Sequence, residues 1–218
     1  MFKLEAIGIK GQLTSWIENW LTNREQRVVL NGSKYEWCNV PSGVSQGSVL
    51  GPLLFLVFVN DIDSCVSSKL LKFADDTKVF RVVSSLDAVN KLRDDLRMLF
   101  QWSTDWMMFF NLNKCSVMHL GFNNPRHCYY MGGLQLDVVK DEKDLGVIVR
   151  EDLKVSFQCS EAVKKANRVL GMIRRTFTYK ENHLILNLYK SLVRPHLEYC
   201  VQVWRPHLQK DIKLLEGV

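Results

Sequence analysis

The chain has 218 residues, 47% of them hydrophobic and 24% charged, with only 12 glycines and 5 prolines. That composition supports a buried core and excludes disordered, collagen-like and low-complexity polypeptides. Twenty-nine Lys and Arg against 23 Asp and Glu leave a net charge of +6, carried unevenly: residues 151–218 hold 12 basic and 7 acidic side chains, residues 1–150 hold 17 and 16. A basic last third can supply phosphate contacts, although a solvated helix face has the same composition. The longest apolar run, 49–59, contains Gly51-Pro52 and falls far short of the ~20 residues that span a bilayer. The first residues lack the basic-then-apolar layout of a secretory signal. The expectation is an intracellular protein, nuclear or cytoplasmic, with no membrane segment and no evident targeting signal. Six scattered cysteines without a C-x-x-C pair argue against zinc and for reduced, mostly buried thiols.

In chain order, Leu13, Trp16, Ile17, Trp20 and Leu21 repeat at helical spacing and predict an amphipathic helix ending near Asn23. Arg27 to Val40 then reads as two short strands about Asn31-Gly32, a pair that tolerates positive φ and favours a hairpin turn. From Gln46 to about Val59 the apolar content is too continuous for one amphipathic face, which predicts a buried helix reached through a glycine-rich turn and central to the core. Lys69 to Val83 forms a second hairpin about Ala74-Asp75-Asp76. Ser84 with Asp87 resembles a capping box, after which Leu86, Val89, Leu92, Leu96, Leu99 and Trp106 hold helical phase. Short strands are expected at Ser116 to Leu120, Leu134 to Val139 and Gly146 to Val149. Beyond Phe157 the period is helical again, with Val163, Ala166, Leu170, Ile173 and Phe177 on one helix. Leu184, Leu188 and Leu192 lie on another that Pro195 ends or kinks. The architecture is α+β followed by an all-α tail, the two parts packing together.

Two adjacent carboxylates, Asp75 and Asp76, stand at the tip of a hairpin in an apolar context, where like charges repel unless a cation lies between them. By itself an Asp-Asp pair reads as a solvated turn. Its surroundings change the balance: Phe73 before it, Thr77-Lys78 after it, and GVSQGSVLGP (Gly43 to Pro52) upstream.

These segments resemble the reverse transcriptases of non-LTR retrotransposons, LINE-type elements of Jockey-like lineages. Gly43 to Phe55 matches the family's motif B, with Ser45 where the pattern has Pro, and Phe73 to Asp76 matches the aromatic-Ala-Asp-Asp of motif C. Trp102 to Gly121 looks like the Trp-x-x-x-Trp and Asn-x-x-Lys stretch of motif D. Lys143 to Leu153 looks like the primer grip, and the tail is similar to the thumb. The resemblance implies a polymerase palm-like antiparallel sheet with helices over 1–150 and a helical thumb-like region over 151–218.

It implies further that Asp75 and Asp76 are Mg2+ ligands of a two-metal nucleotidyl transfer, with Phe73 near the primer terminus. Gln46 and Gly47 would line the nucleotide and template pocket. Lys114 would serve the leaving pyrophosphate, and Gly146 would belong to the primer grip. An RNA template and a DNA primer are the implied partners. The family's motif A aspartate lies on a strand upstream of the Leu13 to Leu21 helix and does not occur in these residues. The chain is therefore expected to be catalytically incomplete alone. Two other readings remain open: a non-catalytic remnant that grips primer-template duplex, and an unstable degenerate fragment with an unpaired sheet edge.

Overall fold

A computed structural model describes residues 1–179 and 181–218. They form two compact units: Met1–Phe110 with Tyr130–Gly133, and Asn111–Tyr129 with Leu134–Val218. Both mix helices with small sheets in which strands pair only in twos. Among the described residues no helix is long and apolar enough to cross a membrane.

In the first unit the expected amphipathic helix spans Gln12–Leu21. Its buried face differs from the sequence reading, because Ile17 and Thr14 are buried while Leu13 and Trp16 are more than half exposed. Ile17 meets Leu4 and Leu54 in a small core flanked by Trp20, Leu21 and Val57. The Asn31-Gly32 hairpin forms as predicted: Val29–Leu30 pairs with Ser33–Lys34, and both turn residues have positive φ, 51° and 83°. Cys38–Val40, within the predicted run, pairs not with the 29–30 strand but with Arg24–Gln26, which lies outside it.

The helix expected from Gln46 begins only at Leu50 and ends at Phe58. It is not the buried centre of the core, since Leu53 and Leu56 are 56% and 54% exposed and only Gly51 and Leu54 are buried. Apolar residues all round a helix state what it can bury, not which sides are covered.

The second hairpin pairs Lys69–Phe73 with Asp76–Phe80 over five residue pairs. The long helix follows at Leu86–Asp105, and its cap is Ser85, not Ser84: the Ser85 hydroxyl accepts from the Ala88 N–H at 3.2 Å.

In the second unit, Ser116–Met118 pairs in parallel with Asp137–Val139. The charged segment Asp141–Asp144, which carries no strand pattern, pairs antiparallel with Val147–Arg150. Helix Ser156–Thr176 buries two clusters along its length. One joins Cys159 and Ala162 to Val147 and Trp204, and the other joins Ala166 and Ile173 to Val193.

Pro195 does not end the next helix. Asn182–Leu188 continues as a π-helical turn, Tyr189–Val193, into Arg194–Glu198, where Pro195 sits at the first turn. A proline has no N–H and crowds the carbonyl four residues back, and a widened turn immediately before it relieves both demands.

All six cysteines are free, but only Cys159 is buried; Cys38 and Cys128 are exposed, against the expectation of mostly buried thiols.

Candidate active site

The Asp75–Asp76 pair is presented by a two-residue turn. Phe73 and Asp76 close the ladder, leaving Ala74 and Asp75 as the loop, and Ala74 takes a positive φ of 52°. Both aspartates are exposed, and the Phe73 ring beside them is 62% exposed. Lys72, the cation just before the tip, is turned to Asp63 at 3.0 Å. That hydrogen bond holds the Asp63 carboxyl below its usual range. Adjacent exposed carboxylates are hard oxygen donors of the kind Mg2+ takes. The fit is partial, because among the described residues no group of three His, Cys, Asp or Glu is arranged to hold a metal ion.

Two residues that sequence reasoning passed over anchor this hairpin. Asp95, buried on the long helix, accepts from the backbone N–H groups of Ser67 and Ser68, both at 2.8 Å, and from the Ser67 hydroxyl at 3.1 Å. Arg81, at the far end of the second strand, reaches Asp95 at 3.4 Å and the Ser68 hydroxyl at 2.8 Å. Burial alone would raise the Asp95 carboxyl, but the Ser67 and Ser68 hydrogen bonds outweigh it and hold the group below its ordinary value. The signal was present in the helical period: Asp95 stands four residues before Leu99 and seven before Trp102, on the face they bury.

Gln46 and Gly47 lie exposed on the loop before helix Leu50–Phe58. Arg24 ties that loop down, donating to the carbonyls of Ser42 at 3.2 Å and Gly43 at 2.6 Å. Gly47 has a φ of 82°, and a Cβ there would meet nothing within 4 Å, so its glycine answers to backbone conformation and not to crowding inside the chain. Gly51 is the crowded one. A Cβ at Gly51 would come within 2.9 Å of the Ser48 hydroxyl and 3.0 Å of the Ser45 carbonyl. Ser48 joins the two ends of the loop, donating to Ser45 at 2.7 Å and accepting from the Gly51 N–H at 3.0 Å.

The Trp-x-x-x-Trp spacing has a packing explanation. Trp102 and Trp106 both set their rings edge-on to Phe58, and the Lys3 ammonium lies among the three, 3.7 Å from the Trp106 ring centre.

Lys114 and Gly146 belong to the second unit. Lys114 is exposed at the end of a short 3₁₀ turn, Leu112–Lys114. Gly146 occupies the turn between Asp141–Asp144 and Val147–Arg150 with a φ of 87°, and a Cβ there would meet the Tyr199 ring at 3.0 Å. Tyr199 also donates to the Leu145 carbonyl at 2.9 Å. In the same unit His119 is buried with its Nε2 unpartnered among the described residues. Burial, and then the nearby Arg126 charge, push its imidazole below the ordinary value.

Residues 1–173 match the family described as reverse transcriptase (RNA-dependent DNA polymerase), so the chain belongs to that family. Its relatives include the RNA-directed DNA polymerases from mobile element jockey of Drosophila melanogaster and Drosophila funebris. Each is 28% identical, over 94% and 100% of this chain. The probable RNA-directed DNA polymerase from transposon X-element of Drosophila melanogaster is 25% identical over 93% of it. The chain spans about a quarter of the length of these curated relatives. No solved structure is significantly similar.

Proposed function

We propose that this chain is the palm and thumb part of a retroelement RNA-directed DNA polymerase, with palm residues in 1–150 and thumb residues in 151–218. The observation that carries the reading is the Asp75–Asp76 pair at the tip of a tight hairpin, inside the stretch that the family pattern matches.

Asp75 and Asp76 are the Mg2+ ligands in this reading. When bound, divalent ions supply the charge compensation that phosphoryl transfer requires. The exposed Phe73 ring offers a stacking face to the primer terminus. Gln46 offers an amide to the nucleotide and template, and the open space around Gly47 admits them close to the backbone. Lys114 carries a compact, mobile positive charge suited to the leaving pyrophosphate. The Gly146 turn, shaped by Tyr199, supports the primer strand, and the excess of basic residues in 151–218 favours the phosphates of an RNA template paired with a DNA primer. Two carboxylates do not complete a two-metal site, so catalysis needs a third that is not grouped with them among the described residues.

Mn2+ binding, read by water-proton relaxation, tests the assignment. The wild-type chain is expected to bind weakly and the doubly substituted Asp75→Asn, Asp76→Asn chain not at all; equal binding by both overturns the role of the tip. The wild-type chain alone is expected to give no extension of a DNA primer on an RNA template. Magnesium-dependent extension abolished by Asp75→Ala would overturn the claim that a third carboxylate is needed from elsewhere.

A further inference from the structure

The C-terminal end of helix Leu50–Phe58 is held by two lysines that arrive from different elements. Lys3, on the short helix Phe2–Ala6, donates to the Phe58 carbonyl and to the Asp61 carboxylate, both at 2.6 Å. Its ammonium also lies 4.7 Å from the Phe58 ring centre and 4.8 Å from that of Trp102. Lys72, in the hairpin strand Lys69–Phe73, donates to the Asn60 carbonyl and to Asp63, both at 3.0 Å, and to the Val59 carbonyl at 3.4 Å.

The last carbonyls of a helix have no partners within it and carry the negative end of its dipole, so ammonium groups are favoured there. These two are unusually constrained for lysines. The Lys3 side chain is 12% exposed and that of Lys72 is 24% exposed, and each is paired with a carboxylate of the 61–63 turn. Lys72 directly precedes Phe73 and, paired with Thr77, stands one pair from the closing Phe73–Asp76 pair. At its other end the same helix begins at the Gln46–Gly47 loop. Nine residues of helix make a rod of about 13 Å, so the element that carries the loop is gripped, at its far end, by the hairpin that carries the carboxylates.

We propose that Lys3 and Lys72 are positioning residues for the Asp75–Asp76 tip. By gripping one helix end together, they lock the N-terminal helix, the Gln46–Gly47 loop and the hairpin into a single arrangement, and removal of the Lys3 charge is felt at the tip. This rests on the reading of the tip as a metal-binding site, but the coupling itself has a readout that does not.

Amide hydrogen exchange across residues 70–78 is compared in the wild-type chain and in Lys3→Met, Lys72→Met, the double substitution and Lys3→Arg. Lys3→Met removes both charge-assisted hydrogen bonds of the ammonium, and the part of that loss transmitted to the hairpin is expected to speed its exchange roughly tenfold. The interior of helix Leu86–Asp105 should keep its protection. Lys3→Arg should restore most of the effect, and the double substitution should cost less than the two single ones combined. Asp61→Asn, at the half-exposed end of the Lys3 pair, weakens the same contact more mildly and is expected to act in the same direction if Lys3→Met unfolds the unit.

Unchanged hairpin exchange in Lys3→Met, or faster exchange spread evenly over the whole unit, overturns the proposal. Mn2+ binding separates the two claims. Coupling in the exchange data with no Mn2+ binding by the wild-type chain refutes the metal reading alone. Binding that survives in every lysine variant refutes the positioning role alone.

Discussion

Replacing Asp95 by alanine removes the carboxylate on which both ends of the Asp75–Asp76 hairpin converge. Two backbone N–H groups at 2.8 Å lose their acceptor, as does the Ser67 hydroxyl at 3.1 Å, and the Arg81 guanidinium at 3.4 Å loses its counter-charge. A hydrogen bond to a charged group contributes about 1.5–3 kcal/mol. Ser67 is exposed, so water can recover part of the loss there, and the low end of the range for two such bonds gives a destabilisation of about 3 kcal/mol. Asparagine keeps one acceptor oxygen and should cost about half as much, ~1.5 kcal/mol.

The effect has a defined pH dependence. The folded carboxyl titrates below its ordinary value of 3.8, so the unfolded state binds the proton more readily. The stabilisation is therefore fully present above pH 3.8 and is lost as the pH falls through the lower folded value. Urea unfolding followed by tryptophan fluorescence, at pH 7 and near pH 2, should show a gap between wild type and Asp95→Ala that narrows on acidification. A gap below about 1 kcal/mol at pH 7, or one that is the same at both pH values, would refute the reasoning.

Other consequences follow from the packing. Gly51→Ala drives a methyl group to 3.0 Å from the Ser45 carbonyl, and overpacking of this kind costs about 1–3 kcal/mol. Limited proteolysis should find the Gln46–Gly47 loop cut faster than in wild type, and an unchanged cleavage rate would show that the loop does not fold back on the helix start. His119 titrates below its ordinary value of 6.5 because it is buried. Stability is then complete above pH 6.5 and declines as the pH falls through the lower folded value. His119→Gln should flatten that decline in thermal melts, and a slope that persists unchanged assigns it to other groups.

The local elements were legible because they depend on neighbours in sequence. Asn31-Gly32 forms its hairpin because both residues accept positive φ, and the long helix needs only its cap and its period. The positions of these elements were read to within a few residues, and the carboxylate tip was read as a tip. Burial was less legible. Leu13 and Trp16 carry a helical stripe yet face outward, and the apolar 50–58 helix is half exposed, because a stripe states what can be buried and not whether a partner surface exists. Pro195 does not end its helix, which runs on through a π turn, a choice that depends on packing of the flanking turns.

By itself, the sequence determined the family, the hairpin with its paired aspartates and the glycine-rich lead to the 50–58 helix, since each is a run of contiguous residues with its own local geometry. Only the tertiary structure decided what holds them. Asp95 binds the backbone of Ser67 and Ser68 across nearly thirty residues of chain, and Lys3 meets Asp61 across nearly sixty. Nothing in the local pattern of a lysine or an aspartate names its partner, because an ion pair depends on distance in space, and that distance exists only once the chain has folded.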